Sequence, residues 1–343
     1  KIAPRSENVF TLLENLLISD SSEKIRSKAA DLLGSLFLQE ALDPMKWAFK
    51  HERSLICLMS VIRVLGKINN EESKNALVNG LKSSIFPQFH TFKDLKDLNG
   101  EDLAEIVINS VIVDFMKKRY KNVKVRVIRG IVEELDLSYI GSRVFQFNVL
   151  SVLPDFLGNL FALRKLDLKI NRLRSLPESI CTLPSLEYLD ISYNQIKRLP
   201  KSIGSLSSLK SLFLRYNDLK TLPKSMGLFK SLRVLDLRKN DLKTLPSSIG
   251  NLSSLEVLDL QGNSIVQLPS TMSKLNSLKI LEVGLNDLEN VPSFLSSLEN
   301  LEKLGLGGND FQNELPESLS SLEKLKEFSF FDNGMVSLPA FFG

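Results

Sequence analysis

Two hydrophobic periods divide the chain. Across residues 6–83, apolar side chains recur at helical spacing in Val9 to Ile18, Ile25 to Leu38, Leu42 to Phe49, Leu55 to Ile68 and Ala76 to Leu81, each stretch a helix with one buried face. Asp20-Ser21-Ser22 and Asn69-Asn70-Glu71 supply helix-starting chemistry at the breaks. Glu101 to Tyr120 reads as one more helix, after a connector from Ile85 to Gly100 that contains Pro87. From Val132 the period changes. Asn171, Asn194, Asn217, Asn240, Asn263, Asn286 and Asn309 follow one another at a spacing of 23, and Asn333 comes 24 later. Aligned on these asparagines the unit is L-x-x-L-x-L-x-x-N-x-L-x-x-L-P, as in Leu209, Leu212, Leu214, Asn217, Leu219, Leu222 and Pro223, with Met226 and Phe229 completing its apolar set.

A unit of this length is one short strand, a turn and a return segment, and it cannot bury its apolar face without a neighbour on each side. Stacked leucines therefore make one continuous core, and successive strands form a parallel sheet on the concave face. Each asparagine stands where the strand ends, so its amide is expected to pair backbone groups that would otherwise be buried alone, forming a ladder. The proline stiffens the return, where no sheet N–H is needed. Residues 132–162 read as an irregular first repeat: Val132, Leu135 and Leu137 match the strand, Ile140 replaces the asparagine, and Gly141 to Asn148 is an insertion before Leu153-Pro154. Leu325, Phe328, Phe330, Asn333, Leu338 and Pro339 begin a last, partial unit, and a solenoid end needs a cap: either Phe331, Phe341 and Phe342 cover it or the repeats have been cut there.

This is the leucine-rich-repeat signature, and it resembles the 23-residue intracellular class found in the Ras-suppressor protein, in Scribble and Erbin, and in the plant intracellular Ras-group-related family. That resemblance implies scaffolding of signalling proteins, small GTPases and phosphatases among them. The stretch from Asn309 to Pro316 departs from it and looks more like a 24-residue plant-receptor repeat. At the other end, Ile25 to Gly34 resembles the second helix of a HEAT repeat, and Val61 to Gly66 matches its end 32 residues later, with small residues that let helices pack closely. The expected fold is thus α/β: a HEAT-like α-helical domain over 1–84, a helical and strand connector capping the solenoid over 85–131, and a leucine-rich-repeat solenoid of about nine repeats over 132–343.

Composition adds little to this and removes several alternatives. The 343 residues are 43% hydrophobic and 24% charged, an ordinary globular balance, and 44 basic against 40 acidic residues leave a net charge of +4. Nothing so balanced announces a nucleic-acid protein, and no apolar run reaches the roughly 20 residues of a membrane span. Two distant cysteines, Cys57 and Cys181, and no secretory leader pattern point to the cytoplasm. The basic run from Lys117 to Arg129 could touch nucleic acid, acidic lipid or a nuclear importer. Val123, Val125 and Val127 alternate there with Lys124 and Arg126, so an edge strand whose charge guards the open side is the more economical account.

Catalytic chemistry finds no foothold. His51 and His90 lack a nucleophile in an elbow motif, two cysteines and two histidines give no metal spacing, and no phosphate-binding loop occurs. Gly305, Gly307 and Gly308 fall on strand positions of their repeat and read as a bare patch rather than a phosphate cradle. Asn251-Leu252-Ser253 is an isolated glycosylation sequon. The expectation is a non-enzymatic protein with no cofactor and no metal.

Alternation along the strand turns the third, fifth, seventh and eighth positions of each unit away from the leucines. Lys169, Tyr188, Tyr193, Phe213, Arg215, Tyr216, Arg238 and Lys239 then form an aromatic and basic cluster on the concave face, flanked by an acidic column of Asp167, Asp190, Asp236, Asp259 and Glu282. Tyrosine and arginine are the commonest interface hot spots. These eight residues are the candidate binding site for a protein partner with an acidic patch, a small GTPase or another signalling protein. Beyond the asparagines runs a basic ridge, Arg172, Arg174, Lys197, Arg198, Lys220 and Lys243, ending where Gln267, Glu289 and Glu314 take over. The expected function is a scaffold or adaptor. The alternatives are the substrate-recognition arm of a larger enzyme such as a ubiquitin ligase, or nucleic-acid or membrane-surface binding through residues 117–129.

Overall fold

The structure, a computed structural model, describes residues 7–82, 95, 97–140, 149–311 and 315–333. It forms two compact units, residues 1–119 with 125–133 and residues 120–124 with 134–343. The insertion at Gly141 to Asn148, His90, Glu314, most of the 85–100 connector and the tail with Leu338, Pro339, Phe341 and Phe342 lie outside the described residues.

Among the described residues six helices build the first unit: α1 (Glu7–Ser19), α2 (Glu23–Leu36), α3 (Leu42–His51), α4 (Leu55–Ile68), α5 (Glu71–Lys82) and α6 (Gly100–Arg119). Each periodic stretch of the sequence is a helix, and they pack in two rows, α2–α4–α6 and α1–α3–α5. Small residues set the closeness of the first row. A Cβ at Gly34 would collide with the Val64 side chain, and one at Gly66 with Ala104 and the Gly100 carbonyl. Ser27 and Ser60 hydroxyls meet between α2 and α4 at 2.9 Å. Arg26 grips Glu52 with two bonds, 2.7 and 3.0 Å, and also donates to the carbonyls of Asp20 and Ser21. Burial works against the Glu52 charge, yet Arg26 and the Ser54 and Arg53 N–H groups hold its carboxyl down at about 2. In α6 the fully buried Asn109 donates to the Glu105 carbonyl and accepts the Val132 N–H at 2.9 Å.

Ten strands lie in one sheet in chain order. β1 (Lys124–Ile128) and β2 (Ile131–Asp136) are joined by Arg129-Gly130, both at positive φ, a turn that suits a tight hairpin. β1 ends the sheet with Lys124 and Arg126 exposed and Val125 and Val127 half-buried, the charged edge strand that alternation suggested. Then follow β3 (Lys165–Asp167), β4 (Tyr188–Asp190), β5 (Ser211–Phe213), β6 (Val234–Asp236), β7 (Val257–Asp259), β8 (Ile280–Glu282), β9 (Lys303–Gly305) and β10 (Glu327–Ser329). From β2 to β10 the pairing is parallel, and from β3 to β9 the central residue of each strand is a leucine paired with its neighbour's: Leu166 with Leu189, Leu189 with Leu212, and so on to Leu304, which pairs with Phe328 of β10. Burying one such side chain contributes about 1.5–3 kcal/mol. Seven of the eight short 3₁₀ helices that return the chain directly follow a proline, whose carbonyl accepts their first bond, as Pro223 does from the Met226 N–H at 3.1 Å.

The asparagine ladder has one arrangement from Asn194 to Asn309. The side-chain oxygen of Asn217 accepts the Ile196 N–H at 2.9 Å, and its amide donates to Ile191 and Leu214 carbonyls at 3.0 Å. Asn171 differs. Its amide donates to the Leu137 carbonyl, but its oxygen is buried without a partner, because the Leu150 N–H in the matching place bonds the Ile140 carbonyl instead. Asn333, at the far end, accepts the Asn309 N–H, and Phe330 stacks on both Phe311 and Phe328.

Candidate functional site

The strand face departs from simple alternation, because each regular strand is only three residues long. Ile170, Tyr193, Tyr216, Lys239 and Leu285, each just before a ladder asparagine, have φ between 53° and 57°. This left-handed turn suits glycine, which supplies it as Gly262 and Gly308, and any other residue there costs roughly 1 kcal/mol. Glycines 307 and 308, expected on strand positions, therefore lie beyond β9: Gly308 makes the turn and Gly307 lies under Phe331, whose ring a Cβ would strike. Only Gly305 is in the strand, where a Cβ would meet the Glu282 carboxylate.

The acidic column is also more than a face. Asp167, Asp190, Asp236 and Asp259 each accept the N–H two residues on, at 2.9–3.1 Å, and the first three are buried. They cap strand ends. Two bases of the candidate cluster are spent on them. Lys169 pairs with Asp167 at 2.9 Å, and that bond raises its pKa. Arg238 binds Asp236 at 2.7 Å and Asp259 at 3.1 Å, so its pKa is raised as well. Burial pushes Asp259 up to about 6, opposed by the Gln261 N–H and by Arg238. These two bases, expected to stand ready for an acidic partner, are therefore neutralised within the molecule.

The aromatics remain. Tyr193 and Tyr216 stack at 4.5 Å between centroids and 11° between planes, and they are 39% and 45% exposed. The Arg215 guanidinium lies over the Tyr193 ring at 5.3 Å. One row over, Tyr188 and Phe213 meet at 5.3 Å, Lys165 covers Tyr188 at 5.1 Å, and burial lifts the Tyr188 phenol to about 12. Lys239 has no ion pair among the described residues. All eight predicted residues thus lie on adjacent repeats, but as an aromatic centre with Arg215 and Lys239 beside it and with Lys169 and Arg238 locked. Lys165, outside the eight, joins the face as the cation over Tyr188; its signal in the sequence is that it holds the same place in its repeat as Tyr188.

No group of His, Cys, Asp and Glu among the described residues could hold a metal ion, and no described helix is long and apolar enough to cross a membrane. His51 stacks on Trp47 at 4.5 Å. Both cysteines are buried and free, and burial with the neighbouring Glu52 pushes the Cys57 thiol to about 12.

The family described as Leucine-rich repeat region matches residues 143–240 and 224–336, more than half of the chain. The chain belongs to the leucine-rich-repeat family. No curated protein matches it. Among solved structures, a leucine-rich-repeat protein of Leptospira interrogans is 32% identical over 64% of this chain and 67% of its own, with a TM-score of 0.49. The leucine-rich-repeat ectodomain of the Arabidopsis thaliana receptor kinase GASSHO1/SCHENGEN3, solved with CASPARIAN STRIP INTEGRITY FACTOR 2, is 31% identical over 53% of this chain, with a TM-score of 0.50. A plant peptide hormone receptor, RGFR1, in complex with RGF2, is 29% identical over 53%, with a TM-score of 0.49. This leucine-rich-repeat chain spans 23% and 30% of those two receptors. Leucine-rich repeats commonly serve as protein-interaction scaffolds, their stacked strands presenting an extended binding surface.

Proposed function

We propose that this chain is a non-catalytic scaffold or adaptor that holds a protein partner on its strand face, centred on the stacked pair Tyr193 and Tyr216. One observation carries this reading. Two large aromatics are kept exposed at left-handed positions that glycine fills at lower cost elsewhere in the same solenoid. A stacked, half-exposed aromatic pair beside an arginine is the chemistry of an interface centre. The leucine-rich-repeat ectodomain of the receptor kinase, solved in complex with its factor, supports a binding role for such a solenoid and names no partner here. Likeness to the 23-residue intracellular class supports a cytoplasmic location and a small GTPase or other signalling protein as the partner.

The test compares the protein with Tyr193→Ala/Tyr216→Ala and with a control, Leu228→Ser, at an exposed residue of a return segment. Proteins captured from the native cell by the parent and the control should be lost with the double variant, and affinity for the purified partner should fall at least about tenfold. The melting temperature should stay nearly unchanged, since neither ring belongs to the leucine core. Equal capture by all three proteins would place the interface elsewhere.

A further inference from the structure

The two rims of the strand face carry charge in opposite ways. On the rim before the strands, charges of both signs, one per repeat, pair along the row, with Lys210 and Arg233 the one pair of like neighbours: Arg164 with Glu187 with Lys210, Arg233 with Glu256 with Lys279, and Glu302 with Lys326, at 2.6–3.5 Å. On the rim beyond the asparagines, Arg174, Lys197, Lys220 and Lys243 occupy the same place in four successive repeats. All four are exposed, and none has an ion pair among the described residues. Their backbone is pinned in register by Gln195 N–H to Leu173, Asp218 N–H to Ile196 and Asp241 N–H to Leu219 carbonyls, 2.9–3.1 Å. Like charges stacked one repeat apart repel, so a row of four that makes no ion pair among the described residues, with Asp218 and Asp241 as the acids two residues before Lys220 and Lys243, is a cost the opposite rim largely avoids. The next repeat changes the chemistry: Val266, 52% exposed, opens a groove of about 1020 Å³ of mixed lining, in which Leu268, Val291, Pro292 and Phe294 stand among the polar Gln267 and Glu289.

We infer that this rim is a second interaction surface, separate from the strand face, which takes an α-helical segment of a partner protein with carboxylates on one stripe and an apolar residue at the stripe's end. Spacing decides the shape of the ligand. Stacked strands lie about 4.8 Å apart, which sets the step of the cation row. Carboxylates at i, i+4, i+7 and i+11 of a helix step by about 5.4 Å per turn, and the mismatch over three steps is about 2 Å, within the reach of lysine and arginine side chains. An extended acidic peptide presents same-face carboxylates about 6.7 Å apart, and its mismatch grows to about 6 Å. Single-stranded nucleic acid would need aromatic platforms for its bases, and Ser175, Thr221 and Thr244 stand beside the row instead. One further turn of the helix brings its apolar residue to Val266 and the groove.

The probe is a synthetic alanine-rich helix bearing glutamates at i, i+4, i+7 and i+11 and leucine at i+14, compared with a peptide of the same composition whose glutamates are spread around the helix. By fluorescence anisotropy at physiological salt, the striped peptide should bind at least about tenfold more tightly than the spread one. Arg174→Glu/Lys197→Glu/Lys220→Glu/Lys243→Glu should abolish that difference, and so should the milder replacement of all four by Gln, with unchanged circular dichroism showing that each variant folds. Tyr193→Ala/Tyr216→Ala should leave it intact, which separates this surface from the strand face. Equal binding of the two peptides overturns the proposal, as does retention by the charge-reversed protein. So does preference for heparin or phosphatidylserine vesicles over the striped peptide, which would make the row a general polyanion site.

Discussion

In the helical unit each buried polar contact is made once. Arg26 has one glutamate to hold, Glu52, and Asn109 has one N–H to meet, that of Val132. In the repeat unit a single arrangement recurs, so that Asn194, Asn217, Asn240, Asn263 and Asn286 satisfy equivalent groups one repeat apart. The difference is one of redundancy. A repeated contact is supported by identical neighbours on both sides and fails locally, whereas an unrepeated contact has no substitute. Repeat arrays behave as sums of unit and neighbour terms, which gives this contrast measurable consequences.

The largest effect is expected within the ladder itself. Asn217→Ala leaves the buried Ile196 N–H unpaired, at about 1–3 kcal/mol, and takes one of two amide donors, at about 1 kcal/mol each, from the Ile191 and Leu214 carbonyls, which keep Asn194 and Asn240. A loss of about 4 kcal/mol, read by urea unfolding, is the expectation. Asn171→Ala should cost at least about 1 kcal/mol less, because the oxygen of Asn171 has no partner among the described residues. Equal losses at the two sites would mean that the ladder oxygens contribute little and that packing alone holds the turns.

The same contrast explains how far the sequence was legible. A period of 23 announced the leucine core and the ladder because repetition multiplies a weak local signal, and the helical period located all six helices. On the strand face, alternation holds along the strands and fails just beyond them. Period-two alternation holds only while the chain is extended, and β3 to β10 end after three residues. The left-handed turn at Tyr193 and Tyr216 carried a signal, since Gly262 and Gly308 stand in the same place, but only once the repeats are compared at that position. Asp236 looked like a face residue because a side chain that bonds its own backbone has the same sequence signature as one that faces solvent. Arg238 was then counted as free when its partner was already fixed. Asn109 in α6 was invisible, since a contact made once leaves no pattern.

In the helical unit, Arg26→Ala should destabilise by about 3 kcal/mol, because it strips the guanidinium from a carboxylate that is almost fully enclosed. The pH dependence sharpens this. Glu52 has its pKa lowered in the folded state, so its stabilising contribution is present above the ordinary glutamate range and is lost as pH falls from that range toward 2. Hydrogen exchange of α2 and α4 should accelerate over that acid window in the parent protein and much less steeply in Arg26→Ala. A parallel acid response in both proteins would show that other carboxylates drive the transition.

The smallest effect should run in the opposite direction with pH, and it belongs to the solenoid. Burial raises the Asp259 carboxyl to about 6, with Asp236 and Glu282 on the adjoining strands adding to the rise and only the Gln261 N–H and Arg238 opposing it. For a raised acid the sign reverses. Stability is greatest while Asp259 is protonated, below the ordinary aspartate range, and declines as pH rises through 6. Asp259→Asn keeps an oxygen to accept the Gln261 N–H and removes the charge, while Arg238 retains Asp236. The variant should therefore match the parent at low pH and exceed it above pH 6 by at most about 3 kcal/mol, the worth of the rise from the ordinary aspartate value to about 6. Its stability relative to the parent, followed by urea unfolding across that range, tests whether burial or ion pairing governs the acidic column. A variant that is less stable than the parent above pH 6 would show that the attraction of Arg238 outweighs the cost of burial. The column would then be a set of ion pairs first and of strand caps second.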